Sequence, residues 1–124
     1  FTGGYTYDEN GQITGGIGTR LRTAEIVPSY NVNPANGFLY VAFQTGQFRP
    51  DQLPQIGLMT SRDGGLTWSP AAKVSRTPED APNPQAFTPF VAITEEGDVG
   101  ILYYDFRKDD KSNSSETKTN AWLA

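Results

Sequence analysis

Arginine, aspartate and tyrosine carry whatever chemistry this chain can do, because its 124 residues include no histidine and no cysteine. That composition excludes Ser–His and Cys–His nucleophilic pairs, thiolate metal sites and zinc held on imidazole. Guanidinium forks match carboxylates two hydrogen bonds at a time. Arg22, Arg49 and Arg107, with Asp51 and Asp105, stand in or beside stretches that read as loops. Asp105 and Arg107 are two residues apart at the end of a predicted strand, so their side chains share a face. They either line a ligand surface together or form an ion pair that pins the following loop. The ion pair is favoured, since structural pairs also gather at strand ends. Tyr103 and Tyr104 alternate, one toward a core and the other toward a groove. Asp109 and Asp110, interleaved with Lys108 and Lys111, read as a solvated loop face. No residue grouping calls for a metal or a cofactor.

The elements that must position these residues are strands. Helical periodicity is missing, and short β-branched and aromatic runs alternate with turn residues. A hairpin is expected over 5–14 around Asn10-Gly11, then a glycine connector at 15–18. Strands are expected at 29–33, 38–44, 56–60 and 72–75, then at 87–94 and 99–106, with another beginning at 120. The loops between them fall at 45–55, 75–84 and 107–118. The chain repeats itself: Val27-Pro28-Ser29-Tyr30-Asn31-Val32 matches Thr88-Pro89-Phe90-Val91-Ala92-Ile93. Likewise Asn36-Gly37-Phe38-Leu39-Tyr40-Val41-Ala42-Phe43 matches Glu96-Gly97-Asp98-Val99-Gly100-Ile101-Leu102-Tyr103. Each repeat is a four-stranded antiparallel meander that cannot bury both faces alone, so the units stack as propeller blades do. The expected fold is therefore all-β, a partial β-propeller. A complete four-stranded blade spans 26–85, an incomplete blade spans 86–124, and residues 1–25 form a preceding hairpin and connector. Phe38, Tyr40, Phe43, Phe87, Phe90 and Trp122 are expected to pack between blades.

Ser61-Arg62-Asp63-Gly64-Gly65-Leu66-Thr67-Trp68 satisfies Ser-x-Asp-x-Gly-x-Thr-Trp at every fixed position. Asp63 can accept backbone N–H bonds from its own turn, and Gly65 can take a positive φ. Ser61 and Thr67 can tie the ends, and Trp68 can anchor the turn in an apolar layer. The segment resembles the Asp-box, or bacterial neuraminidase repeat, of sialidase-like propellers, and the likeness extends over 24–124. It implies a secreted parent that acts on or binds glycans, with this turn structural and opposite the ligand face. On that face the resemblance would put Arg22, Arg49, Asp51, Tyr104, Asp105 and Arg107. Catalytic members of the family use three arginines on a sugar carboxylate, a tyrosine nucleophile helped by a glutamate, and an aspartate acid. The Arg-Ile-Pro signature of those enzymes is absent here, and Phe48-Arg49-Pro50 echoes it in a different kind of loop. No catalytic residue is carried over. The alternative is a non-catalytic propeller that binds protein or carbohydrate, with this segment purely structural.

A net charge of −4 argues against nucleic acid as a general partner. No apolar run approaches the ~20 residues that span a bilayer. The Asn113-Ser114-Ser115 sequon favours an extracellular location. The start at Phe1, without a signal-peptide pattern, reads as a processed or excised terminus. By the repeat, the next Asp-box serine would fall just past Ala124, inside a blade. The expected partners are further blades of the same propeller and a glycan, with self-association through open faces and edges if the chain is alone.

Overall fold

The computed structural model describes the backbone of residues 5–7, 13–15 and 19–20 and all atoms of 27–109 and 118–124. Every regular element among them is a strand, as the alternating sequence requires. β1 (Tyr5–Tyr7), β2 (Ile13–Gly15) and β3 (Thr19–Arg20) form a small antiparallel sheet. Its β1 and β2 match the expected hairpin, whose Asn10-Gly11 turn lies outside the described residues. Gly15, expected in the connector, instead ends β2 and pairs with both neighbours.

The first complete meander is β4 (Ser29–Val32), β5 (Leu39–Thr45), β6 (Gln55–Ser61) and β7 (Ala72–Lys73), antiparallel and in sequential order. The second is β8 (Ala86–Ile93), β9 (Val99–Asp105) and β10 (Asn120–Leu123), again sequential. A similar hairpin opens both, its turn one residue shorter in the second. Asn33 N–H donates to Phe38 O and Gly37 N–H to Asn33 O; Thr94 N–H donates to Asp98 O and Gly97 N–H to Thr94 O.

Register decides which side chains meet. Ser29, Ala42, Leu58 and Ala72 stand opposite one another across the first sheet, so they share one face; Tyr30, Val41 and Met59 share the other. In the second sheet Val91 pairs with Ile101, which exchanges both backbone hydrogen bonds with Ala124. Phe90, Leu102 and Leu123 form the row on the opposite face. The two sheets pack face to face, with Ala42 and Ile56 of the first against Ala86, Val91, Ile101 and Tyr103 of the second. Tyr40, Leu58, Val74, Ile93, Val99 and Trp122 close the rim of this core. The edge strands β4 and β8 meet through side chains: Val91 N–H donates to Ser29 Oγ at 2.9 Å, and Asn31 Nδ2 donates to Val91 O at 3.4 Å. A bulge between Phe87 and Phe90 breaks the β8 register.

Candidate functional site

Asp105 ends β9 and is fully buried. Its Oδ2 accepts from Arg107 Nε at 2.6 Å and from the Thr77 hydroxyl at 2.7 Å. Its Oδ1 accepts from the Trp122 indole N–H at 2.8 Å and from Arg107 N–H at 3.3 Å. The Arg107 guanidinium carbon lies over the Trp122 ring, 3.6 Å from its centroid, and Nη2 donates to the Tyr103 hydroxyl. That hydroxyl also accepts from Arg76 N–H at 2.9 Å. One carboxylate thus ties three segments together: the end of β9, the loop after β7, and β10. This is the ion pair expected from sequence, with a larger retinue. Thr77, Tyr103 and Trp122 are members that sequence reasoning missed. The usable signal was Trp122, an aromatic with a polar edge on the strand destined to pair with β9.

Next to this network a second group of buried amides and hydroxyls fixes the 75–85 loop. Gln55 Nε2 donates to Pro54 O and Pro84 O, while Ser75 Oγ donates to Gln55 Oε1 and accepts from Ile56 N–H. Gln85 Nε2 donates to Asn83 Oδ1, and Asn83 Nδ2 donates to Asp109 Oδ2. Asp109 is therefore buried and not part of a solvated loop face, a correction to the sequence reading. The cause is local: Asp109 accepts Lys118 N–H as well, bridging the two ends of the loop whose middle, with Asp110 and Lys111, lies outside the described residues. Likewise Ser75, Thr77 and Asn83 are buried where a surface loop was expected, because their side chains fold back over the sheet end and satisfy it.

Arg49, Asp51 and Tyr104, the other expected ligand-face residues among those described, make their contacts away from this network. Arg49 and Asp51 pair with each other in a fork, Nε to Oδ1 at 2.9 Å and Nη2 to Oδ2 at 2.7 Å. Hydrogen bonding to Arg49 is the main reason the Asp51 carboxyl titrates below its ordinary range, and Asp51 in turn raises Arg49. Tyr104 stands on the outer face of the second sheet, stacked on Phe87 at 6.0 Å, whereas Tyr103 is the core member of the pair. Arg22 and the 113–115 sequon lie outside the described residues. Among the described residues no three acidic, histidine or cysteine side chains group as for a metal, and no helix is long and apolar enough to cross a membrane.

The 61–68 turn uses every fixed residue of its motif. Asp63 Oδ1 accepts from the Ser61 hydroxyl and from Thr67 N–H, each at 2.8 Å, and Oδ2 accepts from the Thr67 hydroxyl. Ser61 Oγ also accepts from Gly65 N–H at 2.9 Å, and Gly65 has φ of 94°. These donors, the Thr67 hydroxyl first, hold the exposed Asp63 carboxyl down to about 2. Trp68 departs from expectation. It is 38% exposed rather than buried between layers, because its indole N–H donates to Gly65 O and holds the ring on its own turn. The ring helps wall a cleft of about 410 Å³ with Thr60, Arg62, Thr67 and Ser69.

One constellation clamps a sheet end and the other closes a turn, and each carboxylate takes its hydrogen bonds from neighbouring groups of the chain. Comparison with protein-family models, with curated proteins and with solved structures finds no match to this chain.

Proposed function

We propose that this chain is a blade-bearing segment of a secreted Asp-box propeller of the sialidase-like kind, whose whole acts on or binds glycans. Within it, this segment is scaffold and does not catalyse. The observation that carries the reading is the 61–68 turn, where Ser61, Asp63, Gly65, Thr67 and Trp68 each make a hydrogen bond that their place in the motif would explain. Two stacked, sequence-related meanders support it further.

The scaffold role is favoured over a catalytic one by the fate of the arginines. Arg49 is held by Asp51, and Arg107 by Asp105 and the Trp122 ring. A sugar carboxylate would have to displace those carboxylates to bind either one. What the Asp105 network supplies is a fixed sheet end from which the 45–55 and 75–85 loops can present a glycan-facing surface. The test is a fluorogenic sialoside together with an array of neutral and acidic glycans. No turnover is expected, and any retention on the array should survive Asp63→Asn. Turnover above a no-protein blank that disappears in Arg107→Ala would overturn the scaffold role.

A further inference from the structure

We propose that the cleft beside the 61–68 turn is a binding site for an acidic sugar, a pyranose ring that carries a carboxylate. The inference rests on the cleft itself and is independent of the propeller reading. β6 runs from the 45–55 loop to this turn, so the site lies at the other end of the sheet from the loops assigned a glycan-facing role.

Five side chains wall the cleft: Thr60, Arg62, Thr67, Trp68 and Ser69. Its volume of about 410 Å³ falls in the range of small-ligand clefts, roughly 300–1,000 Å³. The walls are held by the turn before any ligand arrives. Ser69 N–H donates to Thr60 O at 2.9 Å, and Thr60 N–H donates back to Ser69 Oγ at 3.0 Å. The Trp68 indole N–H is committed to Gly65 O, which fixes the ring as one wall. Arg62 is different from Arg49 and Arg107. Its guanidinium carbon lies 5.3 Å from the centre of the Phe38 ring, and among the described residues no carboxylate pairs with it. Asp63, its neighbour in the chain, gives both oxygens to Ser61 and Thr67 instead.

The hydrogen-bond inventory of these walls selects the ligand. The Thr67 hydroxyl gives its proton to Asp63, and the Ser69 hydroxyl gives its proton to Pro70 O. Both oxygens therefore offer acceptor lone pairs to the cleft, which calls for a ligand with O–H donors. Arg62 offers only donors and a positive charge, which calls for an anionic acceptor, and its planar fork matches a single carboxylate. The Trp68 ring offers an apolar surface with an electron-rich face, and the C–H face of a pyranose stacks on such a ring. A sugar acid meets all three demands at once. A nucleotide also stacks on an aromatic ring, but its phosphate draws on clustered cations, and Arg62 is the one charged side chain in this wall.

Nitrogen–proton correlation NMR of the full chain tests this, because the chain has two tryptophans and hence two indole N–H signals. The probe is methyl β-glucuronide, compared with methyl β-glucoside, acetate and AMP. The Trp68 indole signal and the Thr67 and Ser69 amides should shift saturably with the glucuronide, while the Trp122 indole signal stays in place. The glucoside, which lacks the charge, and acetate, which lacks the ring, should each bind more weakly. Arg62→Ala should weaken the glucuronide about tenfold, the scale of one charge-assisted hydrogen bond, and leave the glucoside unchanged. Thr60→Val should weaken both sugars. An unmoved Trp122 signal verifies that a variant is folded, and Arg62→Gln replaces Arg62→Ala if that signal moves. Absence of a saturable shift at 67–69 with the glucuronide overturns the proposal. So does acetate binding as tightly as the glucuronide, which would mean a simple anion site, or AMP binding more tightly, which would mean a nucleotide cleft. Glucuronide affinity unchanged in the Arg62 variant overturns it as well.

Discussion

Three carboxylates, each held by several hydrogen bonds, have very different consequences at the residue scale. Asp105 is buried, so its loss strands the Arg107 cation, the Thr77 hydroxyl and the Trp122 indole N–H at once. Asp105→Ala should cost about 3–5 kcal/mol, the range for breaking a buried ion pair from one side, as read by urea denaturation. Arg49→Ala should cost about 1 kcal/mol or less, because solvent reaches Asp51 and screens that pair. Asp63 acts through pH. Its folded value of about 2 lies below that of an ordinary aspartate, so its stabilisation is complete above the unfolded value and lost as pH falls toward 2. Asp63→Asn should lower the melting temperature at pH 7 and flatten its fall between about pH 4 and pH 2. The contribution of Asp51, also held below its ordinary range by Arg49, to the acid-side fall should remain. Trp68→Ala should cost roughly 1–2 kcal/mol, less than a fully buried aromatic, because part of the ring is already in water. The Asp63 turn was legible in sequence because all its partners lie within a few residues. The Asp105 network was only half legible, because Thr77 and Trp122 reach it from 28 and 17 residues away, and no local pattern encodes those meetings.

Strand positions at the element scale followed from local signals. Expected strands at 29–33, 38–44, 56–60 and 99–106 compare with Ser29–Val32, Leu39–Thr45, Gln55–Ser61 and Val99–Asp105. The loops were less legible, since prolines and charges announce a loop without saying that its hydroxyls and amides turn inward. The 45–55 loop shows why. Arg49 N–H donates to Gly46 O and Gln52 N–H to Arg49 O, curling the chain until Gln52 nearly touches Gly46. A Cβ on Gly46 would sit 2.4 Å from Gln52 O, a backbone atom that cannot swing aside. Gly46→Ala should therefore open this loop, and limited proteolysis within 47–53 should run at least tenfold faster than in the wild type. Unchanged cleavage would mean that the loop shifts as a unit to make room.

For the whole molecule, the all-β class and the two related meanders were readable from the repeat, while the pairing of faces was not, because a period of two names two faces without saying which one is covered. The covered pair forms a single shared core, so the two sheets should unfold together. Each contains one of the two tryptophans, Trp68 beside β6 and Trp122 in β10. Urea midpoints from Trp68→Phe and Trp122→Phe should therefore be internally coincident with those from circular dichroism on the same variant, and a split would mean that the sheets are separable units. The bond from Val91 N–H to Ser29 Oγ also governs time. Each hairpin joins neighbours along the chain, but this bond and its companion from Asn31 close separations of 62 and 60 residues. Local strand pairs form in microseconds, whereas distant contacts must first overcome the entropy of a long loop. Val91 is thus a clock for docking: during refolding its amide should become protected from deuterium after that of Gly57, which pairs with Phe43 in the first sheet. In the native state it should exchange only when the two sheets part.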